Sequence, residues 1–352
     1  DFGTAPFIVD AIRKRCECEV LGYTGKPDSY YRAIINWVKQ RYDLDVTKEM
    51  INFVPGIVPG IGMAMNSFTR PGDKVMIQPP VYHPFAWVTT RNERTLVTNP
   101  LKWENGMYRM DLDAFREQVK GCKLFILCNP HNPGGVVWTE DELRTVAEIC
   151  YEEKVLVFSD EIHADLTLPP YKHRPFATIS EKAKMNSVTF MSPSKAFNMP
   201  GLAASHAIIF NEDLRARFRK FMDAGELDMG HVFAFLSVEA AYTHGTEWLD
   251  QCLAYIQGNI DYVDNFLKTH APRIKAIRPQ ASYLVWLDCR ELGLNQEALN
   301  DFFADKAHLA LNDGAMFGKE GTGYMRLNVA SPRSVIEQAM KQLAEAYQEM
   351  SF

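Results

Sequence analysis

The chain has 352 residues, of which 47% are hydrophobic and 23% charged, as is typical of a globular protein with a sizeable core. Its net charge of −6 argues against a nucleic-acid-binding surface, which needs a clustered excess of Lys and Arg. No apolar run approaches the roughly 18 residues of a membrane span, and no secretory signal pattern is present. We therefore expect no nucleic-acid partner, no membrane partner and a cytoplasmic location.

The chain begins without Met, in the middle of a pattern at Asp1-Phe2-Gly3, which predicts that a native N-terminal segment precedes it. Its seven cysteines lack the spacing of a metal site, and Cys16 and Cys18 are too close for a Cys-x-x-Cys motif. We expect free thiols in a reducing compartment and no bound metal.

Strand-like apolar runs alternate with helical patterns through the first two thirds of the chain. The strand candidates are Ile51 to Val54, Lys74 to Ile77, Leu124 to Leu127, Val155 to Phe158, Val188 to Met191 and Ala207 to Phe210. The helix candidates are Ser29 to Tyr42, Leu112 to Val119, Thr139 to Glu153, which opens with a capping box, and Asp213 to Met222. This alternation predicts an α/β fold with a mostly parallel sheet that is covered by helices on both faces.

The pattern changes after residue 245. A long helical stretch from Glu247 to Thr269 leads to two strand candidates, Tyr283 to Leu287 and Tyr324 to Val329. We predict a large domain over 27–245 and a smaller α+β domain built from 1–26 and 246–352.

Two candidate binding features follow the first two strands. Gly56, Ile57 and Val58 open an apolar helix, where free backbone N–H groups and the helix dipole favour a phosphate, although glycines are also common in ordinary loops. Tyr82 follows the second strand and could stack on a ring, although a Tyr among prolines is buried in many proteins without one.

The next two strands are followed by polar residues. Asn132 stands in a turn of Asn-Pro-Gly-Gly that would form without any ligand, and Asp160 ends a continuous apolar run, where it could equally cap the next segment. Ligands of open α/β sheets bind beyond the carboxyl ends of the strands, so both side chains are expected to face one crevice. His163 is either a neighbour of that ligand or a structural histidine.

Lys195 follows another buried strand, in Ser192-Pro193-Ser194-Lys195. Most lysines are solvated surface charges, but a lysine here would be partly desolvated and close to other positive charge. Both effects lower the pKa of an amine and free it for imine formation. Ser192 and Ser194 could add hydroxyl donors for a phosphate.

Arg326 is a charge amid apolar neighbours in the strand candidate that begins at Tyr324. A buried guanidinium needs a partner, which is either a substrate α-carboxylate or a protein carboxylate. The combination of Lys195, Asp160 and Asn132 indicates a pyridoxal phosphate site: an amine for the imine, a carboxylate for the ring nitrogen and an amide for the phenolic oxygen.

Together these residues resemble fold type I pyridoxal-phosphate enzymes of the aspartate aminotransferase superfamily, over essentially the whole chain. Within it, three motifs resemble the cystathionine β-lyase (MalY/PatB) branch: His131 to Trp138, Asp160 to Leu166, and Leu311 to Gly318. The resemblance implies a transferase-like fold with a seven-stranded sheet in the large domain.

The resemblance also implies roles for matching positions. Lys195 would be the Schiff-base lysine and Arg326, with Asn132, would contact the substrate. The cofactor would be held by Gly56, Ile57, Val58, Tyr82, Asn132, Asp160, His163, Ser192 and Ser194. Tyr23 matches a tyrosine that reaches the phosphate of the neighbouring subunit, which implies a homodimer with shared sites; in a monomer it would be a surface aromatic.

Two positions depart from the plain aminotransferase pattern. Ala203 stands eight residues after the lysine, where many class I transaminases carry an Arg, and His163 replaces a Tyr. Both differences are typical of the lyase branch. We therefore expect a C–S β-lyase that acts on cystathionine, cystine or related S-substituted cysteines. The alternatives are an aminotransferase, and a pyridoxal-phosphate-binding regulatory protein that acts by protein contact.

Overall fold

The computed structural model describes residues 2–350, and all statements on structure refer to them. The helices in this part are α1 Pro6–Cys16, α2 Asp28–Tyr42, α3 Ile57–Phe68, α4 Pro84–Arg91, α5 Leu112–Gln118, α6 Glu140–Glu152, α7 Glu181–Met185, α8 Glu212–Ala224, α9 Val232–His244, α10 Thr246–His270, α11 Gln296–Asp301 and α12 Arg333–Gln348. The strands are β1 Ile51–Val54, β2 Lys74–Ile77, β3 Thr95–Thr98, β4 Lys102–Glu104, β5 Met107–Arg109, β6 Cys122–Cys128, β7 Leu156–Asp160, β8 Ser187–Met191, β9 Ser205–Ile208, β10 Lys275–Ile277, β11 Leu284–Asp288, β12 Asn312–Asp313 and β13 Tyr324–Asn328.

The main sheet of the described residues has seven strands in the order β1-β9-β8-β7-β6-β2-β3. The pairs among β8, β7, β6, β2 and β3 are parallel, whereas β9 runs antiparallel to both β8 and β1. Because β9 is antiparallel to both of its neighbours, β1 runs in the same direction as β8 and the other parallel strands. The predicted α/β fold with a mostly parallel seven-stranded sheet is confirmed.

Both faces of the main sheet are buried, which is why its strands are continuous apolar runs. Along β6, Leu124 and Ile126 pack towards α3 and α8, and Phe125 and Leu127 pack on the opposite face with α6. The α6 helix begins with the predicted capping box. The Thr139 side chain accepts from the Glu142 backbone N–H, and the Glu142 carboxylate accepts from the Thr139 backbone N–H.

A second, antiparallel sheet follows in the C-terminal part of the described chain, in the order β10-β11-β13-β12. It packs with α10 and α12 in one hydrophobic cluster that also includes α1, α2 and α9. This agrees with the predicted change of pattern after residue 245, while the domain limits 27–245, 1–26 and 246–352 remain a prediction.

Some element limits differ from the sequence-based expectation. The strand expected at Ala207 to Phe210 lies at Ser205–Ile208, because Ser205 and His206 pair with Val54 and Phe53 of β1 although they are polar. The predicted Glu247 to Thr269 helix agrees with α10 to within one residue at each end.

Candidate active site

The carboxyl ends of five parallel strands meet at one edge of the main sheet. The segments that follow β1, β2, β6 and β8 carry Gly56, Tyr82, Asn132 and Lys195, in that order, and Asp160 is the last residue of β7. Since β6, β7 and β8 are neighbours in the sheet, the last three residues are brought together by strand order alone. They line a cavity of about 500 Å³.

Asp160 is the last residue of β7 and only 4% exposed. One carboxylate oxygen accepts from the Ile162 backbone N–H (3.1 Å), and no protein donor contacts the other oxygen in the described chain. Burial, reinforced by the neighbouring Glu161, raises the pKa of Asp160 to about 7. A cationic partner in the cavity would stabilise the carboxylate form.

Lys195 is half-buried in the loop after β8, and its amine has no hydrogen bond or salt bridge to any described residue. Burial, and then the nearby Arg326 guanidinium, lower the pKa of the Lys195 amine, whereas Asp160 opposes this shift. The structure thus places a half-buried lysine close to the positive charge of Arg326.

Arg326 comes from β13 of the second sheet and reaches the same cavity. Its guanidinium donates to the Asn132 side-chain oxygen (3.0 Å) and the Asn312 side-chain oxygen (2.7 Å) and lies over the Phe317 ring. No carboxylate among the described residues pairs with it, and its Nε is buried without an acceptor. The protein-carboxylate alternative is thus excluded within residues 2–350.

The start of α3 forms another side of the cavity. Gly56 has φ of 147°, a conformation that favours glycine, and the first intrahelical bond runs from Gly60 N–H to the Gly56 carbonyl. The amides of Ile57 and Val58 precede that bond, and both residues line the cavity. Free amides at a helix start are suited to an anion.

Ser194 lines the cavity, but Ser192 does not. The Ser192 hydroxyl donates to the Ala204 carbonyl (2.7 Å) and accepts from the Ser194 backbone N–H (3.1 Å), so it holds the loop that carries Lys195. The phosphate contact of Ser192 stays a prediction, and the hydroxyl of Ser192 is already engaged in these two hydrogen bonds.

His163 and Tyr82 both line the cavity. Burial, followed by the charges of Lys195 and Arg326, lowers the pKa of His163 to about 3, so its imidazole is neutral. Burial raises the pKa of the Tyr82 phenol, which therefore stays protonated. Both residues offer a neutral ring to a ligand.

Tyr23 is not among the residues that line the cavity, and its side chain is 99% exposed. It lies in residues 19–27, which form neither helix nor strand. Within one chain the structure therefore does not bring Tyr23 to the other candidate residues.

The cavity lining also includes residues that were not predicted as site residues from the sequence, among them Ser205, Trp248, Tyr283 and Asn312. Ser205 reaches the site because β9 runs antiparallel to β8, so its first residue lies beside the end of β8. Burial raises the pKa of the Tyr283 phenol to about 12. The preceding residue, Ser282, has a strained backbone with φ of 77°. Because sequence patterns do not report backbone strain, Tyr283 could not be predicted as a site residue.

The free groups of the cavity fit pyridoxal phosphate. An unpaired amine at Lys195 matches an aldehyde, and a buried carboxylate at Asp160 matches a pyridine nitrogen. Free amides at Ile57 and Val58, with the Ser194 hydroxyl, match a phosphate. The described lining therefore offers each type of group that the cofactor needs, and it includes Ala203, the position where many class I transaminases carry an Arg.

Residues 4–343 match the family model described as aminotransferase class I and II. Cystathionine β-lyase PatB of Bacillus subtilis is 38% identical over 98% of this chain and 90% of its own length. Among solved structures, cystalysin of Treponema denticola, which contains pyridoxal 5'-phosphate, is 34% identical with a TM-score of 0.96, covering 99% of this chain and 89% of its own. The pyridoxal-phosphate-bound C-S lyase of Staphylococcus hominis is 34% identical with a TM-score of 0.92, covering 99% and 90%.

Proposed function

Because the chain belongs to the class I and II aminotransferase family, we propose that it is a pyridoxal-phosphate-dependent C–S β-lyase. Its substrates are S-substituted L-cysteines of the cystathionine and cystine type. The reaction breaks the bond between sulfur and the β carbon, consumes one water, and releases a thiol, pyruvate and ammonium. Relatives whose names state lyase activity support this proposal, together with the Arg326 guanidinium, which has no carboxylate partner in the described chain, and the unpaired Lys195 amine.

The cofactor is held by residues from several strand ends. Lys195 attaches it covalently, Asp160 pairs with the ring nitrogen and Asn132 holds the phenolic oxygen through its amide. Tyr82 and the neutral His163 flank the ring, while the Gly56 to Val58 amides and Ser194 hold the phosphate. When bound, pyridoxal phosphate supplies the electron sink that accepts the charge developed at the substrate α carbon.

Once the Lys195 amine is no longer attached to the cofactor, it removes the α proton of the substrate. An amine accepts a proton only in its uncharged form, and burial and Arg326 favour that form by lowering the pKa of the Lys195 amine. In the same site, the Asp160 carboxylate keeps a proton on the ring nitrogen, because the buried anion is stabilised only by a cationic partner.

Arg326 binds the substrate α-carboxylate. Its guanidinium is oriented by Asn132 and Asn312 through bonds of 3.0 and 2.7 Å, so it is in position before substrate arrives. The Tyr283 phenol lines the cavity and makes no hydrogen bond to another described residue, which leaves it free to donate to the same carboxylate.

The observation that carries the proposal is a half-buried arginine without a carboxylate partner in the described chain, in one cavity with an unpaired lysine and a buried aspartate. The test is pyruvate release from L-cystathionine and L-cystine by the holoenzyme, without an added keto acid. Release supports a lyase. Amino-group transfer that depends on an added keto acid would indicate an aminotransferase, and absence of both activities would favour a regulatory protein.

We also propose a homodimer in which Tyr23 contacts the phosphate in the partner's site. Exposed apolar side chains support an interface here: Val20 and Leu21 are 71% and 65% exposed, close to the fully exposed Tyr23. The salt bridge of Lys26 to Asp228 (2.7 Å) joins this segment to a second one with exposed apolar residues, Leu227 and Met229. Exposed apolar side chains that cluster on a surface are typical of interaction sites.

A cytoplasmic location is proposed as well. The cysteines of the described residues are all free, and four of them are buried: Cys122, Cys128, Cys150 and Cys289. Free thiols of this kind are typical of reducing compartments. Among residues 2–350, no helix is long and apolar enough to cross a membrane.

A further inference from the structure

The cavity lining includes both polar and apolar side chains. Five of the apolar residues, which we call the apolar wall, are Phe2, Leu166, Trp248, Cys252 and Ile256. The last three residues are spaced four apart on α10, so they project from one face of that helix.

The apolar wall adjoins the loop that carries Lys195. The Trp248 ring stacks on Phe197, two residues after Lys195, with centroids 5.7 Å apart and an interplanar angle of 28°. Phe197 is fully buried, so it holds the indole in place. The apolar wall therefore lines the same cavity as Lys195, beside the loop that carries this lysine.

A second contact fixes the opposite end of the wall. The Phe2 carbonyl accepts from the side-chain amide of Asn198, three residues after Lys195, and the Phe2 ring meets the Tyr255 ring edge to face at 5.4 Å. The N-terminal segment thus connects the Lys195 loop to α10, and the wall is preformed.

Charge is distributed unevenly over the lining. Among the described residues that line the cavity, the side chains of the Asp, Glu, Lys and Arg types belong to Asp160, Lys195 and Arg326. Each of these three residues has a role in the proposed function. Within the described residues of one chain, no charged side chain of the lining is left for a second ammonium or carboxylate group. Burying such a group against apolar side chains without a partner is unfavourable, whereas a hydrocarbon group gains free energy there.

Building on the proposed C–S lyase function, we propose that this enzyme selects cysteines whose S-substituent is an uncharged aliphatic or aromatic group, in preference to those whose substituent ends in a second amino-acid group. Arg326 takes the single α-carboxylate and the apolar wall takes the substituent. S-benzyl-L-cysteine represents the favoured class, and L-cystathionine the disfavoured one.

The first test compares kcat/KM for these two substrates, measured as pyruvate release by the holoenzyme. We expect S-benzyl-L-cysteine to be favoured by about tenfold or more, since even one methylene in an apolar pocket is worth roughly 10-fold. Equal or better use of L-cystathionine would overturn the inference.

A binding measurement separates this inference from the proposed function. Analogues in which CH₂ replaces the sulfur cannot be cleaved, and their affinities for the holoenzyme are measured by calorimetry. Tighter binding of the benzyl analogue than of the cystathionine analogue supports the apolar wall even if no pyruvate is released from any substrate, a result that would reject only the lyase. Equal affinities would reject the wall as a selector.

A charge placed in the wall tests the position directly. Cys252→Lys introduces a cation into the wall, and Gln251→Lys introduces the same charge one residue earlier, at an exposed position of α10 outside the cavity lining. A hydrogen-bonded charge is worth about 1.5–3 kcal/mol. The preference ratio is kcat/KM for S-benzyl-L-cysteine divided by kcat/KM for L-cystathionine. For Cys252→Lys, that range of free energy corresponds to a decrease of this ratio by about 10-fold or more. The Gln251→Lys protein should keep the wild-type ratio, and an equal ratio in both variants would contradict the assignment.

Discussion

Replacing Asp160 by Asn tests the electrostatic character of the site independently of turnover. Burial raises the pKa of this carboxyl from its ordinary value of 3.8 to about 7. Each tenfold change in proton affinity is worth about 1.4 kcal/mol, so the full difference corresponds to about 4 kcal/mol of unfolding free energy. Asn has nearly the same shape and no charge, which isolates this contribution.

The direction follows from proton linkage. Below pH 3.8 the carboxyl is protonated in both the folded and the unfolded chain. As the pH rises towards about 7, the unfolded chain releases the proton while the folded, cofactor-free chain retains it, so this group contributes stability that is progressively lost. Between pH 5 and pH 8.5 the expected loss is about 3 kcal/mol, and Asp160→Asn should not show it.

The assay is urea unfolding of cofactor-free protein at these two pH values, followed by circular dichroism at fixed protein concentration. The difference in unfolding free energy between Asp160→Asn and wild type should grow by about 3 kcal/mol in favour of the variant at the higher pH. Asp223→Asn, at an exposed position, is the matched control and should follow wild type. Parallel pH profiles for Asp160→Asn and wild type would refute the claim that burial holds a proton on Asp160.

Three further predictions concern the proposed cofactor, substrate and dimer. Borohydride reduction of the holoenzyme followed by peptide mapping should label Lys195, and Lys195→Ala should lose turnover but keep its circular dichroism spectrum; a label on another lysine would exclude the assignment. Arg326→Met should lower kcat/KM by about 100-fold or more, because a charge-assisted bidentate contact worth roughly 3 kcal/mol is lost, while the visible absorbance of the bound cofactor should persist; an unchanged kcat/KM would show that another group binds the carboxylate. The protein should sediment as a dimer, and mixing Lys195→Ala with an inactive Tyr23→Phe protein under subunit exchange should restore activity, since one site of each hybrid then contains both native residues; a mixture that stays inactive would mean that each chain completes its own site.

Local patterns in the sequence were sufficient to predict the strand ends. A strand that is buried on both faces is a continuous apolar run, and a polar residue directly after it lies at the sheet edge. Asn132, Asp160 and Lys195 each follow such a run, and all three line the same cavity. The capping box at Thr139 was predictable for the same reason, because its hydrogen bonds connect residues only three apart.

Weakly patterned elements were not predictable in this way. The β3 strand at Thr95–Thr98 has partly exposed side chains, and α9 is apolar around its whole circumference, so neither shows the periodicity that identifies a strand or an amphipathic helix. The limits of β9 were also wrong by two residues, because the apolar run continues past the point where pairing with β1 ends.

The sequence by itself determined the residue types of the site and the strands that carry them, since these depend on contacts between near neighbours in the chain. Tertiary structure decided which distant side chains share the cavity. The antiparallel direction of β9 brings in Ser205, the register of β13 places Arg326 beside Asn312, and packing of α10 against Phe197 sets the apolar wall. These arrangements depend on strand direction, register and long-range packing, which no local pattern of residues encodes.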